Sequence, residues 1–193
     1  MSAEVSRHNF AGVVALQSMG SRSIEAQFDT FLMYSRVLFV CTGNVCRSPM
    51  AEGMLRELAR KSGADVEVAS AGLGAMDDEP PSRNSVIAMD EKGIDISGQR
   101  SQMLTPEMVE GFTHIFGLGT GHADAIRAYF PESQEKAFVL REFVAEEGYD
   151  LEVPDPIGGD LAEYRETRDL IQEAMPSILR FITTGDPSSS DKG

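Results

Sequence analysis

Cys41 and Arg47 bracket five residues in the stretch Val40-Cys41-Thr42-Gly43-Asn44-Val45-Cys46-Arg47-Ser48-Pro49. A loop of that length wraps one phosphate. Its backbone N–H groups converge on the anion, and a guanidinium closes the ring by gripping two oxygens at once. Such positive surroundings favour the thiolate of Cys41, a nucleophile near neutral pH. The chemistry implied is attack at phosphorus to form a phosphocysteine, with Ser48 donating a hydrogen bond toward the sulfur to help it leave afterwards. Gly43 and Asn44 tolerate the positive φ angles of a tight cradle, and Thr42 and Val45 complete the loop, Val45 shaping the wall beside the phosphate. An arginine at one fixed offset from a cysteine arises by chance about one time in twenty, so the pair gains force only from its setting.

Expelling a leaving group from phosphorus requires a proton donor that can then activate water. Asp155 in Pro154-Asp155-Pro156 is the candidate, because the two prolines stiffen its backbone and Pro156 holds it extended. Asp150 and Asp160 are its rivals, read instead as a solvated side chain and a helix cap. Cys46 could trap an oxidised Cys41 as a reversible disulfide, or be simply a buried thiol. His8, His114 and His122 have no ligand spacing with the cysteines, so no metal is expected and no cofactor.

The setting is a strand running into a helix. Arg36 to Val40 is a short apolar run suited to burial on both faces, and Ser48-Pro49 reads as N-cap and first position of a helix. Ala51, Met54, Leu55 and Leu58 give that helix one inward face. Further strands are predicted at Val66–Ser70, Thr113–Leu118 and Lys136–Leu140, and helices at Ser82–Lys92 and Ala123–Tyr129. Asp160 caps a long helix whose inner face carries Leu161, Tyr164, Ile171, Met175, Ile178 and Ile182, with Pro176 expected to kink it. Strands alternating with helices imply an α/β single domain, its parallel sheet flanked by helices on both faces. The phosphate loop then leaves a strand's C-terminal end, where open α/β sheets bind ligands. Residues 1–33 read as a leader or disordered tail, 34–182 as the domain, and 183–193 as a disordered C-terminal tail.

The chain has 193 residues and a net charge of -14, which excludes nucleic acid as the expected partner. Two cysteines so close together suit a reducing cytoplasm. The apolar run Phe10 to Leu16 falls far short of the ~20 residues of a membrane span, so no membrane partner is expected.

In Cys41 to Pro49, Ser70-Ala71-Gly72, Gly93-Ile94-Asp95-Ile96-Ser97 and Asp155-Pro156, the chain resembles the low-molecular-weight protein tyrosine phosphatase family. The likeness runs from about Ser35 to Ile182. It implies a four-stranded parallel sheet, Cys41 as nucleophile, Arg47 as phosphate clamp and Asp155 as acid, with Asn44, Ser48 and Ser70 bracing the loop. It also supports the protective role of Cys46. Many members carry His where this chain has Gly98, so the bracing of Asn44 must differ here. The expected activity is hydrolysis of phosphotyrosine in a phosphorylated protein. The alternative is phosphoarginine, since Gly158-Gly159 resembles a bacterial branch with that substrate, although the Val45 position tends to be Thr there. An arsenate reductase or a silent phospho-binding module ranks below these: the first relies on further cysteines, and none follows Cys46.

Overall fold

The computed structural model describes residues 34–144 and 149–186. The expected leader at 1–33 lies outside them.

Strand β1 (Ser35–Cys41) is central, paired in parallel with β2 (Val66–Gly72) and with β3 (His114–Gly117). β3 pairs in turn with β4 (Ala137–Val139), giving a four-stranded parallel sheet of order β2-β1-β3-β4. Alternation along β1 divides its side chains between two cores. Val37, Phe39 and Cys41 face helices α1 (Arg47–Ser62) and α5 (Leu161–Thr184), together with Leu55, Ile171 and Ile178. Leu38 and Val40 face the opposite layer of α3 (Pro106–Gly111) and α4 (Thr120–Tyr129), with Val109, Ile115 and Ile126. Cys41 therefore leaves the sheet on the α1 face.

The helix expected at Ser82–Lys92 is α2 (Arg83–Asp90), with Ser82 as its cap, and the chain turns after it through Gly93 at φ +71°. Asp160 caps α5 through a reciprocal box with Glu163. That helix continues on both sides of Pro176 and through Thr184 to a left-handed Gly185, so the polar tail expected from Thr183 starts no earlier than Gly185. Helix α3 was not anticipated, although Thr105 caps it and Pro106 opens it. Helix α4 begins at Thr120, three residues earlier than its apolar spacing suggested. No helix among the described residues is long and apolar enough to cross a membrane.

Gly53 lets α1 lie close to the segment after α2: a Cβ there would meet Ile96 Cγ2 at 2.6 Å and Ile94 Cγ2 at 3.3 Å. Ile96 is fully buried and has no room to yield. Gly53→Ala should gain about 1 kcal/mol of helix propensity yet lose about 1–3 kcal/mol to overpacking. Urea unfolding should show a net loss of stability; a gain would mean that Ile96 moves aside.

Candidate active site

The loop from β1 to α1 closes around Cys41. The backbone N–H of Asn44 donates to Cys41 Sγ at 3.3 Å, and Ser48 Oγ lies 3.1 Å from the same sulfur. Helix α1 begins at Arg47, with Cys46 at the cap position and no side chain capping it. The expectation of Ser48 as N-cap is therefore corrected: its hydroxyl is committed to Cys41 and to an amide hydrogen of Asn44 at 2.8 Å. Asn44 adopts φ +55°, whereas Gly43 takes no positive φ, so the cradle's left-handed residue is the asparagine. Asn is the side chain that tolerates this region best.

Asn44 Nδ2 also donates to Ser70 Oγ at 2.8 Å, and Ser70 passes its own proton to buried Glu52 at 2.6 Å. Thus Asn44, Ser48 and Ser70 converge as expected, with Glu52 as an additional member from the first turns of α1.

Arg47 crosses the mouth of the cradle. Its Nη1 donates to Val153 O at 3.2 Å and its Nη2 to Asp155 Oδ2 at 2.6 Å. The guanidinium is buried, and its Nε meets no acceptor among the described residues. A buried guanidinium N–H without an acceptor is costly, and an anion held by Nε and Nη2 would satisfy it. Cys41, Thr42, Gly43, Val45, Cys46, Arg47, Asp155 and Ile157 line a cavity of about 180 Å³ here. A larger hollow of about 250 Å³ beside Met54, Ile94 and Pro176 brings no nucleophile and acid together. Asp150 and Asp160 lie outside the cavity lining, one accepting from Glu152 N and the other capping α5. Asp77 accepts from Met103 N at 2.8 Å and does not line the cavity.

A sulfur held by one backbone N–H and one hydroxyl, with a buried guanidinium and a carboxylate lining the same cavity, can split a phosphate ester in two displacements. The model of the low molecular weight phosphotyrosine protein phosphatases matches residues 36–185. This chain belongs to that family. It is a cysteine phosphatase. It is 38% identical to a protein-arginine-phosphatase of Geobacillus stearothermophilus, over 77% of this chain and 97% of the relative. It is 34% identical to EpsP, a probable low molecular weight protein-tyrosine-phosphatase of Ralstonia solanacearum, over 78% and 92%. Among solved structures, a YwlE arginine phosphatase mutant with a phosphorylated active-site serine superposes at TM-score 0.72 with 33% identity, over 77% of this chain and 96% of that one.

The bracing of Asn44, expected to differ in this chain because of Gly98, is supplied by Gln102. The backbone N–H of Gln102 donates to Asn44 Oδ1 at 2.9 Å, and Gln102 Nε2 reaches Ser70 O at 2.9 Å. Three further contacts were not anticipated. His122, taken as an ordinary polar residue, places Nε2 3.1 Å from Thr42 Oγ1, and burial followed by the charge of Arg47 pushes its pKa down. Its position at the start of the helix after β3, in the crevice at the strand ends, was the available signal. Cys46 lies 3.4 Å from the Tyr164 hydroxyl in a small apolar cluster, where burial pushes the phenol up to about 12. Glu152 meets the N-terminus of α4.

Gly72, at the end of β2, supports the cradle from behind. A Cβ there would stand 2.6 Å from Thr42 O and 3.0 Å from Asn44 N, both backbone atoms with nowhere to go. Gly72→Ala should lower kcat/KM by about 10²-fold, the scale of a misplaced catalytic group, and weaken competitive inhibition by inorganic phosphate in parallel. Unchanged phosphate inhibition would show that the cradle does not rest on this glycine.

Proposed function

We propose that this enzyme dephosphorylates phosphotyrosine in proteins through a phosphocysteine on Cys41. The observation that carries the reading is Cys41 Sγ at the base of the cavity, contacted by Ser48 and Asn44 N–H, with Arg47 and Asp155 paired across its mouth. The dianion takes the Arg47 fork and the loop N–H groups. Cys41 thiolate attacks phosphorus; the P–O bond to the phenol breaks, and Asp155 gives its proton to the departing oxygen. Asp155 then takes a proton from water, which attacks phosphorus while the Cys41–phosphorus bond breaks. Ser48 stabilises the released thiolate, and inorganic phosphate leaves. The neighbouring fold with a phosphorylated active-site serine supports a covalent intermediate at this loop. The reading places the enzyme in the cytoplasm, where two free thiols in one loop stay reduced.

For the substrate, Val45 and Ile157 give the cavity aliphatic walls that suit a flat ring without donors near phosphorus. Phosphoarginine is the second reading. The 38% identical relative carries that name, and Asp155 at the mouth could accept from the N–H groups beside a P–N bond. Val45 offers those groups nothing, and burying them unsatisfied is costly.

Cys41→Ser should abolish turnover with the cradle intact, and Arg47→Lys should lose most activity despite keeping its charge. Substantial hydrolysis of an aryl phosphate by Cys41→Ser would overturn the mechanism. Phosphotyrosine and phosphoarginine peptides should be compared directly. The parent should favour the first, and Val45→Thr should move the kcat/KM ratio about ten-fold towards the second, the worth of one hydrogen bond. A parent that prefers phosphoarginine makes the second reading the correct one.

A further inference from the structure

Helix α4 lacks a capping side chain of its own, because its cap residue is Gly119. The capping group comes instead from the loop that carries Asp155. Glu152 Oε1 accepts from Thr120 N at 2.7 Å and from Thr120 Oγ1 at 2.5 Å. The carboxylate occupies the space a side chain at position 119 would need: a Cβ on Gly119 would meet Glu152 Oε2 at 2.0 Å. Glycine here is not a response to backbone strain, since its φ of 176° is open to any residue. What it supplies is room for Glu152.

Besides the bond from Thr167 Oγ1 to Pro154 O at 3.3 Å, the strip from Glu152 to Asp155 is held on two sides. On one side are the Glu152 cap and the bond from Val153 N to Leu118 O at 3.1 Å. On the other, Arg47 binds Val153 O and the Asp155 carboxylate. A bound phosphate competes for the Arg47 hydrogens that now hold Asp155. Once it takes them, the strip keeps the hold from α4 and the Thr167 bond to Pro154 O. Beyond Asp155 the loop is exposed at Ile157 and turns through Gly158 at φ +81°.

We propose that Glu152 is a positioning residue for the acid step: its grip on the N-terminus of α4 keeps Asp155 over the leaving group while Arg47 is occupied by phosphate, and Gly119 exists to admit it. This rests on Asp155 being the proton donor. Two substitutions break the latch from opposite ends. Glu152→Ala removes the carboxylate. Gly119→Ala pushes it out, and the flexible end of a glutamate side chain can move without disturbing the fold. Neither touches the cradle.

The test is single-turnover release of phenol from phenyl phosphate against dinitrophenol from 2,4-dinitrophenyl phosphate, with the full chain. The phenol rate should fall about five- to ten-fold in both variants, the scale of a lost helix cap. The dinitrophenol rate should change less than about two-fold, because that leaving group needs little protonation. Glu152→Gln, which keeps an acceptor for Thr120, should recover most of the loss. In an Asp155→Asn background neither variant should cost anything further. Equal losses on both esters, losses that persist on top of Asp155→Asn, or no loss in either variant would overturn the proposal. If Asp155→Asn itself slows both esters equally, the acid assignment fails, and this proposal with it.

Discussion

The side-chain amide of Asn44 is the joint on which the site depends. It is buried, and both its hydrogens and its oxygen are engaged: two donated bonds to Ser48 and Ser70 and one accepted from Gln102 N. A buried amide that lost one of these partners would forfeit about 1–3 kcal/mol, so the partners fix its rotamer. They also hold its backbone at φ +55°, which aims the N–H at Cys41 Sγ. The sheet supplies the geometry. Register pairs Phe39 with Ser70 and Cys41 with Gly72, so Ser70 stands beside the loop on the α1 face, where Glu52 can accept its proton. A slip of one residue between β1 and β2 would send Ser70 to the other face and leave Asn44 one bond short.

The second constraint is that clamp and acid hold each other in the free site. Arg47 is buried while the Asp155 side chain is 39% exposed. An ion pair open to water on one side contributes little net energy, so a phosphate can displace it. The pairing keeps the loop close to its working position at small cost. It also means that the clamp cannot hold substrate and acid with the same hydrogens, which is why the loop needs an attachment that does not run through Arg47.

The fold was legible where periodicity and end signals agreed. The apolar run before Cys41, Asp160 as a cap, and the strand–helix alternation led to the observed sheet and most of the helices. That Cys41, Arg47 and Asp155 line one cavity was legible because a nucleophile, a clamp and an acid, the roles we propose for them, each demand a residue type, and the Pro-Asp-Pro context singles out one aspartate. Ser48 was misplaced at the cap because a serine before a proline is a helix-start signal, and nothing local reveals that its hydroxyl is drawn to a sulfur. Glu52, Gln102, His122 and Glu152 were missed for a different reason. Each acts across 18 or more residues of separation, and only the sheet register and the packing of α4 create those contacts. Helix α3 was legible in Thr105-Pro106-Glu107 but is too short to show a helical period.

An acidic protein that binds a dianion looks like a contradiction, and the distances resolve it. The net charge of -14 belongs to the whole chain, and at physiological salt the potential of exposed charges decays over a Debye length of about 8 Å. At contact distance in a largely desolvated site, one guanidinium is worth on the order of 4 kcal/mol per unit charge. Arg47 is 6% exposed and the Asn44 N–H reaches Cys41 Sγ at 3.3 Å, so local terms outweigh the distant ones. What the acidic surface governs is encounter. It slows the approach of small free anions and favours a phosphate carried on a chain whose own charge near it is positive, because steering acts over longer range than binding. The same separation bears on Asp155, the acid we propose, which reaches the site on a tethered loop: in its protonated form it carries no charge to draw it toward the phosphate or away, so the tether decides where it stands.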